Sequence, residues 1–208
     1  MKLHASALAL LLAIVSGVPA ASAAPAAPAA SAAGAPATTA LLPPDSVLRL
    51  DGRFTDQDGQ AFALPARRGR VQLVTMFYTS CKVMCPLLVD SGLGVDHALT
   101  PAEKAKLAVL FVSLDPARDT TARLDALATQ RKLDRRRWTL ARTDASSVRK
   151  TAAVLGVRYR ALANGEFNHS SVLILLDAEG RIVARTEKMG RVPDPAFLAK
   201  VRATLAKS

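Results

Sequence analysis

Three short, nearly unbroken apolar runs stand out along this chain, at residues 71–78, 107–114 and 171–176. A strand with one wet face alternates apolar and polar positions. A strand covered on both faces reads as a continuous apolar run. The three runs therefore predict buried central strands. The segments between them predict helices. One runs from Pro86 to about Ala98, interrupted by Gly92 and Gly94. A second begins at Asp119 or Thr120 and ends near Arg131. A third begins at Asp144 or Ser146 and stops at Gly156. Asp, Ser and Thr accept from the unpaired first amides of a helix, and glycine takes the left-handed conformation that ends one. Residues 138–141 read as a further short strand. Ala178-Glu179-Gly180 turns the third apolar run into a strand at 182–186, and residues 195–206 close the chain as a helix. Towards the other end, residues 47–50 and 61–64 flank Asp51-Gly52 and Asp58-Gly59, turn signals that predict an N-terminal hairpin. Strands alternating with helices, with both sheet faces covered, make a three-layer α/β sandwich.

The first 45 residues have no part in that pattern. Met1-Lys2 precedes an apolar stretch of 14 residues, 5–18, and Ala21-Ser22-Ala23 follows. This reads as a secretory signal, residues 1–23, too short in its apolar part for a comfortable membrane span. An uncleaved anchor is the alternative. Residues 24–45 are almost entirely Ala, Pro, Thr, Ser and Gly, a flexible tether with nothing to bury. Residues 46–208 are enough for one domain with its own core. The expected location is the periplasm, where disulfides persist.

The formal net charge is +11, from 28 basic and 17 acidic residues. The basic excess is spread over Arg67, Arg68 and Arg70, then Arg131, Lys132, Arg135, Arg136 and Arg137, then Arg149 and Lys150. Nucleic acid is not an expected partner, because the leader sends the chain out of the cytosol and no aromatics interleave with the cations. Solvated faces account for most of the charge. It also suits an acidic partner or proximity to an anionic membrane surface.

The chemistry lies in Tyr78-Thr79-Ser80-Cys81-Lys82-Val83-Met84-Cys85-Pro86, which holds the only two cysteines. They fall where the first central strand feeds a helix. Pro86 suits a first helical turn. The helix dipole and the unpaired amides there predict thiolates rather than thiols. A purely structural disulfide would close a loop of about five residues for only about 2 kcal/mol, which a domain of this size does not need. Of three histidines, His4 leaves with the leader and His97, near a helix end, reads as a surface residue. His169 directly precedes the third central strand. In a thioredoxin-type sheet that strand lies beside the cysteine-bearing one, so His169 is expected to reach both sulfurs. Two thiolates and an imidazole suit copper(I), zinc or iron–sulfur, and zinc accepts Cys₂His with an open fourth position. Met84 reads as packing rather than as a weak thioether ligand. Asp115 reads either as a turn residue before Pro116 or as an acceptor orienting His169 or Lys82. Trp138 and Tyr159 read as core.

Over roughly residues 50–206 the chain resembles the Sco/SenC family of copper-binding thioredoxin-fold proteins. The resemblance rests on Phe54-Thr55-Asp56-Gln57-Asp58-Gly59, on Tyr78-Thr79-Ser80-Cys81-x-x-x-Cys85-Pro86, and on Val112-Ser113-Leu114-Asp115-Pro116-Ala117-Arg118-Asp119-Thr120. Leu155-Gly156-Val157 and His169-Ser170, followed by a strand and Asp177-x-x-Gly180, complete it. It implies a thioredoxin-like fold and copper(I) or copper(II) bound by Cys81, Cys85 and His169. It also implies a monomer that matures the dinuclear copper site of a respiratory oxidase, as metallochaperone or as thiol reductant. The implied partners are the apo-oxidase copper-site subunit and copper donor proteins. The chain departs from the family in carrying Lys82-Val83-Met84 where Pro-Asp-Val is common, and in a leader that reads as cleaved where membrane anchors are common. The alternative is a general thiol–disulfide oxidoreductase with Cys81 and Cys85 as its catalytic pair. That class usually has a two-residue spacer and a proline before the third strand. The Pro-x-x-x-Thr-x-x-Cys run of peroxiredoxins is excluded by Val74 and Tyr78.

Overall fold

A computed structural model describes residues 41–81 and 84–208. The signal, residues 24–40 of the tether, and Lys82 and Val83 lie outside the described residues. In chain order the strands and helices are β1 (Phe54–Asp56), β2 (Ala61–Phe62), β3 (Val71–Phe77), α1 (Met84–His97), α2 (Pro101–Lys106) and β4 (Leu107–Ser113). Then come α3 (Thr121–Gln130), β5 (Trp138–Arg142), α4 (Ala145–Leu155), β6 (Tyr159–Ala161), β7 (Phe167–His169), β8 (Leu173–Leu176), β9 (Ile182–Thr186) and α5 (Pro195–Leu205).

Seven strands form one sheet in the order β2-β1-β5-β4-β3-β8-β9. β3, β4 and β5 are parallel, and β8 runs antiparallel beside β3. Every residue of β3 and β4 is buried, as their nearly unbroken apolar sequence requires. The polar exceptions are satisfied: the Thr75 hydroxyl donates to the Val172 carbonyl at 2.6 Å. Phe77, Phe111 and Trp138 form a ladder of rings with centroids 5.7 and 5.5 Å apart across the three parallel strands. Burial of side chains this size stabilises by about 1.5–3 kcal/mol each. Helices pack on the sheet, α1 on β3 and β8, α3 on β5 and β1, and α5 on β9. The result is a thioredoxin-like α/β fold.

Several local expectations are corrected. The N-terminal hairpin is β1–β2 around Asp58-Gly59, with Phe54 opposite Phe62; Val47–Arg49 is a 3-10 turn capped by Ser46, not a strand. Gly92 and Gly94 do not interrupt α1. A Cβ at Gly92 would lie 2.8 Å from the Trp138 ring, and one at Gly94 would lie 2.3 Å from the Arg191 carbonyl oxygen. Both glycines are needed for close approach inside a continuous helix. α2 opens with a reciprocal capping box between Thr100 and Glu103. The Asp144 cap and the left-handed Gly156 stop of α4 are as the sequence predicts.

Candidate metal centre

The site sits at the C-terminal end of β3, where the chain leaves the sheet and turns into α1. Cys81 is half-buried in the loop and Cys85 is buried in the first turn of the helix. The two are not joined by a disulfide. The amide of Cys85 donates to Cys81 Sγ at 3.3 Å, and the amide of Tyr78 donates to Cys85 Sγ at 3.3 Å. Each sulfur thus has a backbone N–H aimed at it. For Cys85 this does not produce the expected thiolate. Burial pushes its thiol well above the ordinary range, outweighing the Tyr78 amide, and the nearby Cys81 and Asp119 push the same way. Removing a thiolate from water is unfavourable. Cys85 is therefore a thiol until a metal or a disulfide removes its proton.

His169 faces that sulfur, with Nε2 4.0 Å from Cys85 Sγ. Its other ring nitrogen, Nδ1, lies 3.1 Å from the carbonyl oxygen of Ser170. A carbonyl only accepts, so Nδ1 carries the proton and the Nε2 lone pair is left to face the sulfur. Burial lowers the His169 pKa and holds the ring neutral, which is the ligating form. The Nε2 atom is within contact distance of Cys85 Sγ, and Cys81 lines the same opening as His169. His169 also lies not in a bare loop but at the end of β7, in a two-stranded hairpin with β6 where Tyr159 pairs with His169. The turn signal Asn164-Gly165 between those strands is legible in the sequence.

Two further contacts tie this hairpin down. The Tyr78 hydroxyl donates to Glu166 Oε2 at 2.9 Å and accepts from the Phe167 amide at 3.3 Å, with its ring edge-on to Phe167 and His169. Arg118 joins the Gly165 carbonyl to Asp115. Asp115 pairs with Arg118 at the turn, and the Ser170 carbonyl, not Asp115, orients His169; the alternative in which Asp115 orients Lys82 lies outside the described residues. Asp119, read from sequence as a possible helix cap, is fully buried instead. It accepts from the amide and hydroxyl of Thr79 and from the Ser113 hydroxyl, while Thr120 caps α3. Met84 is 37% exposed at the mouth of the site, so it does not fill the core. Trp138 is core, His97 is exposed, and Tyr159 is half-buried against Phe167.

Among the described residues no three His, Cys, Asp or Glu side chains already converge as a metal cage. The donor chemistry nonetheless fits a soft ion. Bonds of about 2.3 Å to sulfur and about 2.0 Å to nitrogen, taken from zinc sites, together exceed the 4.0 Å between Cys85 Sγ and His169 Nε2. An ion can therefore bridge these two atoms without separating them further.

No curated protein matches the chain by sequence. Among solved structures, Bradyrhizobium japonicum ScoI with copper bound is 23% identical with a TM-score of 0.62, covering 74% of this chain and 96% of that one. A SCO1/SenC family lipoprotein from Bacillus anthracis str. Ames is 20% identical with a TM-score of 0.66, covering 74% and 94%. BsSco, described as a member of the Sco family of cytochrome c oxidase assembly proteins with a disulfide switch, is 19% identical with a TM-score of 0.64, covering 76% and 94%. At these identities the likeness establishes the fold. The SCO1/SenC profile matches residues 46–206, nearly the whole described domain, and the chain belongs to the SCO1/SenC family.

Proposed function

We propose that this protein carries copper as cargo on Cys81, Cys85 and His169 and serves the assembly of the dinuclear copper site of a respiratory oxidase. One observation carries this reading most directly: the Ser170 carbonyl fixes the His169 proton on Nδ1 and leaves the Nε2 lone pair facing Cys85 Sγ at 4.0 Å. Soft sulfur donors select copper(I), and the imidazole suits either copper state. Copper bound to B. japonicum ScoI and the oxidase-assembly description of BsSco support the same reading. The partners are then an apo-oxidase copper-site subunit and a copper donor. The leader at residues 1–23 and the Ala/Pro-rich tether at 24–45 support action in the periplasm, with the domain at 46–208 held near or released from the membrane. No helix among the described residues is long and apolar enough to cross a membrane.

A second reading shares the site. With Cys81 half-buried and Cys85 buried, Cys81 is placed to attack a disulfide of the client. Its sulfur bonds to one client sulfur and releases the other. Cys85 then displaces the client from Cys81, leaving a Cys81–Cys85 disulfide and a client with two thiols. Two electrons pass to the client, with no other reductant.

Copper(I) titration of the reduced protein against a chromogenic chelator tests the first reading. The expected result is one copper per chain, lost in Cys81→Ser/Cys85→Ser. Retention of wild-type affinity by that variant would place the site elsewhere.

A further inference from the structure

The sulfurs open on two sides. One opening faces the hairpin, between Met84, Glu166 and His169. The other is a cavity of about 170 Å³ between α1 and α3 that reaches both Cys81 and Cys85 and is walled by Pro86, Val89 and Leu127. Small-molecule sites run at about 300–1,000 Å³. This cavity has room for one aliphatic side chain beside the sulfurs, not for a cofactor.

Gln130 and Arg131 form the end wall of that cavity and are also the near wall of a second, larger cleft of about 460 Å³. Arg131, Lys132, Arg191 and His97 line the second cleft, against a single carboxylate, Asp90. Arg131 pairs with Asp90, and Arg191 comes within 3.6 Å of it. Lys132 is exposed, and the Arg191 side chain is 84% exposed, so their charge faces outward. Beside Arg191, Val192 is an apolar side chain 84% exposed. A groove thus runs from an apolar notch at the sulfurs, over the end of α3, to a basic cleft with an apolar rim.

We infer that this groove docks an acidic segment of a partner protein, with an aliphatic side chain in the notch and carboxylates against Lys132 and Arg191. Charge complementarity decides for an acidic segment: three cations face one carboxylate on a chain whose formal net charge is +11. His169 lines neither cavity of this groove, so the groove brings the partner to the sulfurs without covering the histidine. The inference rests on the proposed function only in taking the sulfurs as the reacting atoms.

The test uses the full chain, reduced and free of copper, so its failure is separate from any failure of copper binding. The probe is a fluorescent peptide of one leucine followed by five glutamates, with a leucine–pentalysine peptide as its counterpart. Fluorescence anisotropy reads affinity at low and high salt, and amide chemical shifts locate the contact. The glutamate peptide should bind, shift the Val89, Leu127 and Lys132 amides, and be released by salt, as a screened charge contact requires. Lys132→Asn/Arg191→Gln should weaken it by about tenfold, which corresponds to about 1.4 kcal/mol. Asparagine tolerates the positive φ of 52° at position 132. Arg158→Gln/Arg160→Gln, on the histidine hairpin, should leave affinity within about twofold, since those cations lie outside both clefts. The inference is overturned if the glutamate peptide does not bind, if the lysine peptide binds equally, or if the hairpin variant loses as much affinity. Displacement of the glutamate peptide from the same amides by phosphatidylglycerol vesicles would also overturn it, in favour of a membrane-facing surface.

Discussion

The carboxylate of Asp119 accepts from both the amide and the hydroxyl of Thr79, two residues before Cys81. It also takes the Ser113 hydroxyl, and it is fully buried although burial raises its pKa. A buried carboxylate with three donors fixes the path of the chain between the end of β3 and the first sulfur.

Replacing Asp119 with alanine strands those donors, and each buried donor left unpaired costs about 1–3 kcal/mol. Asp119→Asn keeps one acceptor and should cost less. Urea denaturation is expected to rank wild type above Asn above Ala. If the loop position matters to the sulfurs, copper(I) should also dissociate faster in the same order. A stability loss with unchanged copper release would reduce Asp119 to a structural residue.

His169→Ala separates the two functional readings. Two thiolates alone hold copper(I), whereas copper(II) gains more from an imidazole. Copper(II) affinity is expected to fall more than copper(I) affinity, while thiol–disulfide exchange is largely kept, because both sulfur-directed amides remain. If exchange is abolished and copper(II) affinity is unchanged, the histidine serves as a proton-transfer group and the copper reading gives way.

The sequence carries the central architecture plainly and the support of the site poorly. β3, β4 and β9 are legible because burial on both faces and a tight turn each leave a local signature. Cys81, Cys85 and His169 are legible because few other residues offer soft donors. Asp119 is not, because Asp before Thr also reads as a helix cap, and only the parallel pairing of β3 with β4 brings it under Thr79. The raised Cys85 thiol is likewise invisible. A helix start predicts a lowered pKa, and the opposing burial is a tertiary effect. The β6–β7 hairpin is weak locally, with three-residue strands of half-exposed residues, and is held by Tyr78 from a distant element.

Ser80 Oγ, directly before Cys81, is a buried polar atom with no hydrogen-bond partner among the described residues. An unsatisfied buried hydroxyl is destabilising. Ser80→Ala is therefore expected to leave the copper-free, reduced protein as stable as wild type or more so in thermal unfolding. If the hydroxyl finds its partner when copper is bound, the same variant should bind copper(I) more weakly. A marked loss of stability without copper would mean that the hydroxyl is satisfied by a water.

Tyr78→Phe removes one oxygen atom and keeps the ring that packs on Phe167 and His169. It takes away the bond to Glu166 and leaves the Phe167 amide without the hydroxyl it donates to. A hydrogen bond to a charged group contributes about 1.5–3 kcal/mol, so a loss of that order is expected in denaturant unfolding. The amides of Phe167, Asn168 and His169 should exchange faster with solvent, because the hairpin opens more readily. Copper(I) affinity should move less than copper(II) affinity, since the hydroxyl also bonds to Cys81 but the variant leaves both sulfurs in place. Copper(II) affinity should fall, since the variant loosens the imidazole. A double-mutant cycle decides whether the effect passes through the histidine. In a His169→Ala background, Tyr78→Phe should cost clearly less copper(II) affinity than it does in the wild type. An undiminished effect there would mean that Tyr78 acts on the cysteines directly, and that the latch on the hairpin is not what holds the metal site together.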